Sequence, residues 1–326
     1  MPLLVAVLSS CMSEKQEPRP QQAAVGEPIA SITTHTARYD PLTPTKKHFL
    51  ISNETRHDLF FESIHERGGG YFGVGSEQNY TLLATANATH AYLVDIDAQV
   101  LEYHRLLATL VRTSRTPEQL LTRFSAGAAP ETIKLIDAAE QGPDRGTFTR
   151  QVGLYDSIRT DIEVHLRSVA TRSHPTWLSS PVLYQRVRSL FLKGRIQILP
   201  GDLQGRATLQ TIAEEAQRRG TPIRTLYLSN AEEYVDKRAL FVANLRALQH
   251  PSGGLVLRTL YREDWEAADG LWSYQVHTLE DLVMCLSNEP TSPWHRVLDG
   301  AVGEGCVLEH LPGRSLTSIG VAPQAP

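Results

Sequence analysis

Cysteine is scarce in this chain. Cys11, Cys285 and Cys306 are its three, with no CxxC spacing and no histidine set beside them, which excludes a disulfide framework and a four-ligand zinc site of the usual kind. Positive charge is not in excess either: 32 Lys and Arg against 36 Asp and Glu leave −4, so no basic field is present to hold nucleic acid by counterion release. Long apolar runs are missing. The longest uninterrupted one, Leu3 to Leu8, is far shorter than the roughly 18 residues that span a bilayer. No GxSxG, HExxH or GxxxxGK motif occurs, and no repeat of roughly 20 to 50 residues is visible. The twelve histidines are scattered singly, so no metal is assigned. What remains is 326 residues, 41% hydrophobic and 21% charged, a globular composition able to bury a core and long enough for two domains or one with an insertion.

The N-terminus has its own character. Leu8-Ser9-Ser10-Cys11 closes a short apolar stretch with small residues and a cysteine, and so resembles a bacterial lipoprotein signal, in which the chain is cut before a lipid-bearing cysteine. Residues 1–11 are therefore expected to be such a signal and residues 12–47 a disordered tether, because Ser13 to Pro28 is polar, Pro-rich and too poor in apolar residues to fold. Lipid on Cys11 would anchor the protein to a membrane without spanning it. No Lys or Arg precedes the apolar run, where such signals carry charge. The alternative is a frayed N-terminus on a cytoplasmic protein.

Residues 48–66 read as a helical lead-in, with Leu59, Phe60 and Ile64 at helix-like intervals. Gly68 to Gly75 is a glycine-rich strand and turn, followed by a helix over 77–87, a strand over 91–96 and an amphipathic helix over 98–112. Residues 113–193 read as mostly helical and are taken as an insertion. The alternation then resumes with strands at 195–199, 223–228 and 254–260 and helices at 207–219 and 237–249. Candidates for the last strands are 271–277 and 306–310, with a helix at 279–286 between them and 311–326 as a C-terminal tail. Strands alternating with amphipathic helices predict an α/β fold with a doubly wound, mostly parallel sheet, its halves at 48–112 and 194–310.

Four features fall at strand C-termini, where ligands bind in such sheets. Gly73-Val74-Gly75-Ser76 can bring backbone close to a ligand, or can simply be a tight turn. Asp95 lies 22 positions after Gly73, a separation at which an acid can accept from both hydroxyls of a ribose. The competing role, helix N-cap, suits Asp97 better because it immediately precedes Ala98. Asp202, in Gly201-Asp202-Leu203, can accept from an amino group or merely close a turn. Ser229-Asn230-Ala231-Glu232, with Glu233 and Tyr234, lies at the mouth of the 223–228 strand.

In order and spacing these motifs resemble the class I S-adenosylmethionine-dependent methyltransferases, a Rossmann-like family. The glycine-rich first loop is similar to 73–76, the acid after the second strand to Asp95, the Gly-Asp after the third to Gly201-Asp202, the Ser-Asn-Ala after the fourth to 229–231, and the Gly-Gly entry to the fifth to Gly253-Gly254. The likeness covers roughly 65–112 and 195–290. It implies S-adenosylmethionine as cofactor, held by Gly73, Gly75, Ser76, Asp95, Asp202 and Ser229, and a small-molecule acceptor. It implies no fixed triad, because methyl transfer from a sulfonium is chiefly a matter of alignment. Asn230, Glu232 and Tyr234 are the acceptor-side candidates, Glu232 as a proton acceptor, with Glu233 beside them. Where the family's loop carries a third glycine, this chain has Glu77, expected either to crowd the cofactor's carboxylate or to hold its amino group. The insertion could close over the site, and Arg186, Arg188, Lys193 and Arg195 near its end could favour an acidic ligand or be a solvated face. A lipid-anchored protein outside the cytosol would lack this cofactor, so the alternative function is a non-catalytic protein of the same architecture that binds another small ligand or a protein partner.

Overall fold

The computed structural model describes residues 39–45, 47–139, 145–261, 267–288, 306–310 and 316–321. Cys11, with the expected signal and most of the expected tether, lies outside them.

After a 3-10 turn at His57–Phe60 and one helical turn, α1 (Phe61–Ile64), the chain runs β1 (Gly70–Val74), α2 (Gln78–Thr85), β2 (His90–Asp95) and α3 (Ala98–Thr113). The insertion follows as α4 (Pro117–Arg123), α5 (Ala129–Ala139), α6 (Arg145–Ala170) and α7 (Pro181–Leu192). Then come β3 (Ile196–Pro200), α8 (Thr208–Arg218), β4 (Ile223–Ser229), α9 (Arg238–Ala247), β5 (Leu255–Tyr261), β6 (Trp272–Thr278), α10 (Leu279–Asn288), β7 (Cys306–His310) and β8 (Leu316–Val321). Local chemistry sets several boundaries. Asp97 accepts from Gln99 N as the N-cap of α3, and Thr116 and Ser180 cap α4 and α7 ahead of Pro117 and Pro181.

The strands form one sheet in the order β3-β2-β1-β4-β5-β6-β8-β7, with β1 to β5 parallel and β6 antiparallel to β5. This mostly parallel arrangement is a Rossmann-like α/β fold, in the class that the alternating pattern predicts. Strand alternation divides the core in two. Tyr71, Leu93, Ile198, Tyr227 and Leu257 pack under α2, α3 and the insertion helices, while Phe72, Val94, Leu199, Leu226 and Val256 pack under α8, α9 and α10. Cys285, buried on α10, is disulfide-bonded, which is one bond and not a framework.

Three expectations change. The lead-in over 48–66 is irregular apart from its two short turns, because its backbone is bonded to distant side chains: Thr55 N and Arg56 N both donate to Tyr274 Oη at 3.0 Å. The expected tether reaches only to Tyr39 at most, since Asp40 is buried and Thr43 N donates to Ile96 O at 3.1 Å. Leu316–Val321, expected within a tail, is a strand between β6 and β7, its Leu-Thr-Ser-Ile-Gly-Val sequence rich in strand-forming residues.

Candidate functional site

The winding order reverses between β1 and β4, and the crevice at the C-terminal ends of these strands is where open α/β sheets bind ligands. Its first wall is the turn after β1. Gly75 has φ +78°, a conformation that favours glycine. The carbonyls of this turn are tied down by side chains: Asn79 Nδ2 donates to Val74 O at 2.9 Å and Ser76 O at 2.8 Å, and His104 Nε2 donates to Gly75 O at 2.8 Å. Burial pushes His104 down to about 4, so the ring is neutral and its Nδ1 accepts from Tyr80 Oη at 2.7 Å. Gly73 has a different reason to be glycine. A Cβ there would fall on Asn79 Oδ1 and lie 2.7 Å from Tyr71, so its smallness serves the packing of Asn79 under the turn.

Asp95 meets this wall from β2. Its carboxylate accepts from Asp97 N at 2.8 Å, and the backbone N–H groups of Gly75, beside it by the Val74–Val94 register, and of Ile96 favour its charged form. Desolvation outweighs these bonds and pushes the acid up to about 6. The structure therefore brings Gly75 and Asp95 together. Ser76 is buried beside them, its hydroxyl donating to Gln78 Oε1 at 3.1 Å. Just past the neighbouring strand β3, Asp202 Oδ1 accepts from Gln204 N at 2.9 Å in a turn of its own. The entering segment flanks both acids. Asp40 accepts from Arg206 N, Ala207 N and Thr208 N at 2.9–3.2 Å, which serves the first turn of α8, and His48 Nδ1 lies 2.8 Å from Asp97 Oδ2.

The opposite wall is the end of β4, and its organiser is Glu54. This buried carboxylate takes hydrogen bonds from Tyr227 Oη, Ser229 Oγ, Thr259 Oγ1 and His57 Nε2, the last at 3.0 Å. Burial alone would raise its pKa; the bond and charge of His57, with the bonds from Ser229 and Tyr227, outweigh that and hold Glu54 below the usual carboxylate range. Ser229 is held at φ +52°, an uncommon conformation for a non-glycine residue, where the β4–β5 register shifts.

The residues beyond Ser229 diverge. Asn230 Nδ2 donates to Glu233 Oε2 at 3.3 Å. Glu232 is wholly buried and paired with Arg258, whose Nε and Nη1 lie 3.2 and 3.3 Å from its oxygens. Burial pushes Glu232 up, and Arg258 only partly opposes it. Tyr234 is 66% exposed and points to solvent. Of the acceptor-side candidates, only Asn230 stays with the crevice, next to Ser229, which was expected on the cofactor side.

The insertion joins both walls. Glu77 does neither thing expected of it: Oε1 accepts from His165 Nε2 and Oε2 from Trp177 Nε1, both at 2.7 Å, inside the protein. Burial would raise its pKa, but His165, Trp177 and the charge of Arg172 outweigh this and lower it. Just past α6, Arg172 Nη2 donates to Glu54 O at 3.3 Å and Nη1 lies 3.5 Å from His57 Nδ1. Glu54, His57 and Arg172 are the residues that sequence reasoning missed; the only local signal was an acid and a histidine three apart.

No curated protein matches the chain. The model of one family, described as a domain of unknown function (DUF7790), matches residues 49–307, and the chain belongs to that family.

Proposed function

We propose that this protein is an S-adenosylmethionine-dependent methyltransferase acting on a small molecule. The observation that carries the reading is the adjacency of the Gly75 turn and Asp95 at the paired ends of β1 and β2, beside the winding reversal. The residues fit the cofactor. Asp95 would take the ribose hydroxyls, the turn at Gly75–Ser76 would line its path, and Asp202 with Ile96, an exposed apolar side chain next to Asp95, would meet the base. Gly73 supports the turn from behind. When bound, the cofactor supplies a sulfonium methyl group with a neutral leaving group.

The chain's own contribution is alignment. Glu54 holds Ser229 and, through it, the start of the loop that carries Asn230. Neither buried acid is suited to remove a proton: Glu54 is saturated with donors and Glu232 is bound to Arg258. The reading therefore favours an acceptor that is nucleophilic without help from a base. Calorimetry on the full chain with S-adenosylhomocysteine tests it. Binding is expected in the wild type and is abolished in Asp95→Ala; no heat from the wild type at saturating ligand would overturn the assignment.

A second reading, a lipid-anchored protein using the crevice for another ligand, draws on Leu8 to Cys11 and on the disulfide at Cys285, since such bonds persist in oxidising compartments. Detergent-phase partitioning lost in Cys11→Ala would support it; unchanged partitioning would remove the anchor.

A further inference from the structure

Arg172 is a half-buried cation with no acid of its own among the described residues. Its contacts are the two long ones to His57 Nδ1 and Glu54 O, and among the described residues no carboxylate lies within 4 Å of its guanidinium. The acids around it are engaged elsewhere. Glu77 is held by His165 and Trp177, the Glu54 side chain by its four donors, and Asp58 by Arg56 at 2.9 Å and His174 at 3.3 Å. His174 stands on the same turn, its side chain 10% exposed, with Nδ1 toward Asp58 and Nε2 buried without a partner among the described residues. Buried polar groups in folded proteins are ordinarily satisfied, so an imidazole nitrogen and a guanidinium two positions apart in sequence, both lacking a strong partner among the described residues, point to a missing occupant.

The position of the pair says what the occupant is. Arg172 contacts the Glu54–His57 wall, and its charge also lowers the pKa of the Glu77 carboxylate of the β1 turn. The Glu54 wall also holds Ser229, next to Asn230, the acceptor-side candidate that stays with the crevice. A guanidinium offers a planar fork that matches two oxygens of a carboxylate or phosphate. We propose that Arg172 binds an anionic group, carboxylate or phosphate, of the methyl acceptor, with His174 Nε2 free to accept a hydrogen bond from a neighbouring donor on the same molecule. The assignment to an acceptor rests on the methyltransferase reading; the anion site itself does not.

The test is calorimetry on the full chain with benzoate and with inorganic phosphate, each with and without S-adenosylhomocysteine. The wild type is expected to bind at least one of these anions, and Arg172→Gln to weaken it about tenfold or more, the worth of one hydrogen bond to a charged group. S-adenosylhomocysteine affinity should stay unchanged in that variant. Equal anion binding by wild type and variant, or no anion binding by either, overturns the proposal. Loss of S-adenosylhomocysteine affinity with that for 5′-methylthioadenosine preserved would move the anion to the cofactor's own carboxylate and overturn the acceptor assignment. Arg172-dependent anion binding in a chain that ignores S-adenosylhomocysteine would sink the methyltransferase reading and uphold the site. Should Arg172→Gln fail to fold, phenylglyoxal labelling of the wild type gives the answer: phosphate or benzoate is expected to protect Arg172, and labelling unaffected by both overturns the proposal.

Discussion

His165 of the insertion helix α6 and Glu77 of the turn after β1 meet at 2.7 Å, both buried, and Trp177 closes the other carboxylate oxygen at the same distance. The insertion is thereby fastened to the segment that shapes the crevice. His165→Ala would leave a buried carboxylate with one donor, and breaking such a pair costs about 3–5 kcal/mol. Thermal unfolding should show this loss in a single transition shared by sheet and insertion. A loss below about 1 kcal/mol, the range of surface pairs, would mean that the contact is solvated.

Asp95 and His104 give the protein an unusual pH response. His104 is held at about 4 against 6.5 unfolded, so between those values the unfolded chain carries the extra proton and stability falls as pH drops. Asp95 is held at about 6 against 3.8 unfolded, so between those values the folded chain carries the extra proton and stability rises as pH drops. Each shift is worth roughly 3 kcal/mol, and over the shared window they nearly cancel. Glu54 and Glu77, both lowered, contribute stability above the unfolded value of 4.5 that is lost below it. Asp95 should therefore offset the His104 loss from about pH 6 to 4.5, and below 4.5 the losses at Glu54 and Glu77 steepen the fall. Asp95→Asn should be more stable than wild type at pH 7, bind no S-adenosylhomocysteine, and lose stability more steeply than wild type as pH falls from about 6 to 4. Parallel curves from urea titrations of the two proteins would refute this account of Asp95.

What the sequence made legible was local. Asp97 as the cap of α3, Gly75 as the tight turn and Asp95 at a strand end all follow from neighbours a few positions away, and the strand alternation follows from side-chain period. Glu54 was illegible because its partners Tyr227, Ser229 and Thr259 lie 173, 175 and 205 positions away. Glu77 was misjudged for the same reason: a carboxylate beside a glycine turn looks like a ligand contact until His165 and Trp177, 88 and 100 positions on, are seen to hold it. Asp40, serving a helix 168 positions away, turns the end of an apparent tether into part of the rim. Tertiary hydrogen bonds of this separation leave no periodic trace.

Ser229 combines a left-handed backbone with a hydrogen bond to a charged partner, and two substitutions separate them. Ser229→Ala loses the bond, about 1.5–3 kcal/mol, and keeps the strain. Ser229→Gly loses the same bond but relieves a conformation that costs roughly 1–2 kcal/mol in other residues. Denaturant midpoints should place the glycine variant about 1 kcal/mol above the alanine variant. An alanine variant equal to or more stable than the glycine one would show that the φ of +52° carries no strain.

Glu232 was the sequence's candidate for a proton acceptor, and its pairing with Arg258 makes a different prediction. Arg258 is buried among Glu232, Gln275 and His277; its Nη2 donates to Gln275 Oε1 at 2.9 Å, and burial with the nearby charge of Arg258 pushes His277 well below its usual range. Glu232→Gln would strand this guanidinium and cost about 3–5 kcal/mol, whereas removing both charges together as Glu232→Leu with Arg258→Met replaces the pair by apolar bulk, a change that is often neutral. A double-mutant cycle on thermal stability built from Glu232→Leu, Arg258→Met and their combination should thus show strong coupling, with the double variant close to wild type and each single variant, like Glu232→Gln, far below it. If Glu232→Gln instead unfolds at the wild-type temperature, the pair holds nothing together, and a carboxylate raised by burial at the end of β4 returns as a proton acceptor for the reaction.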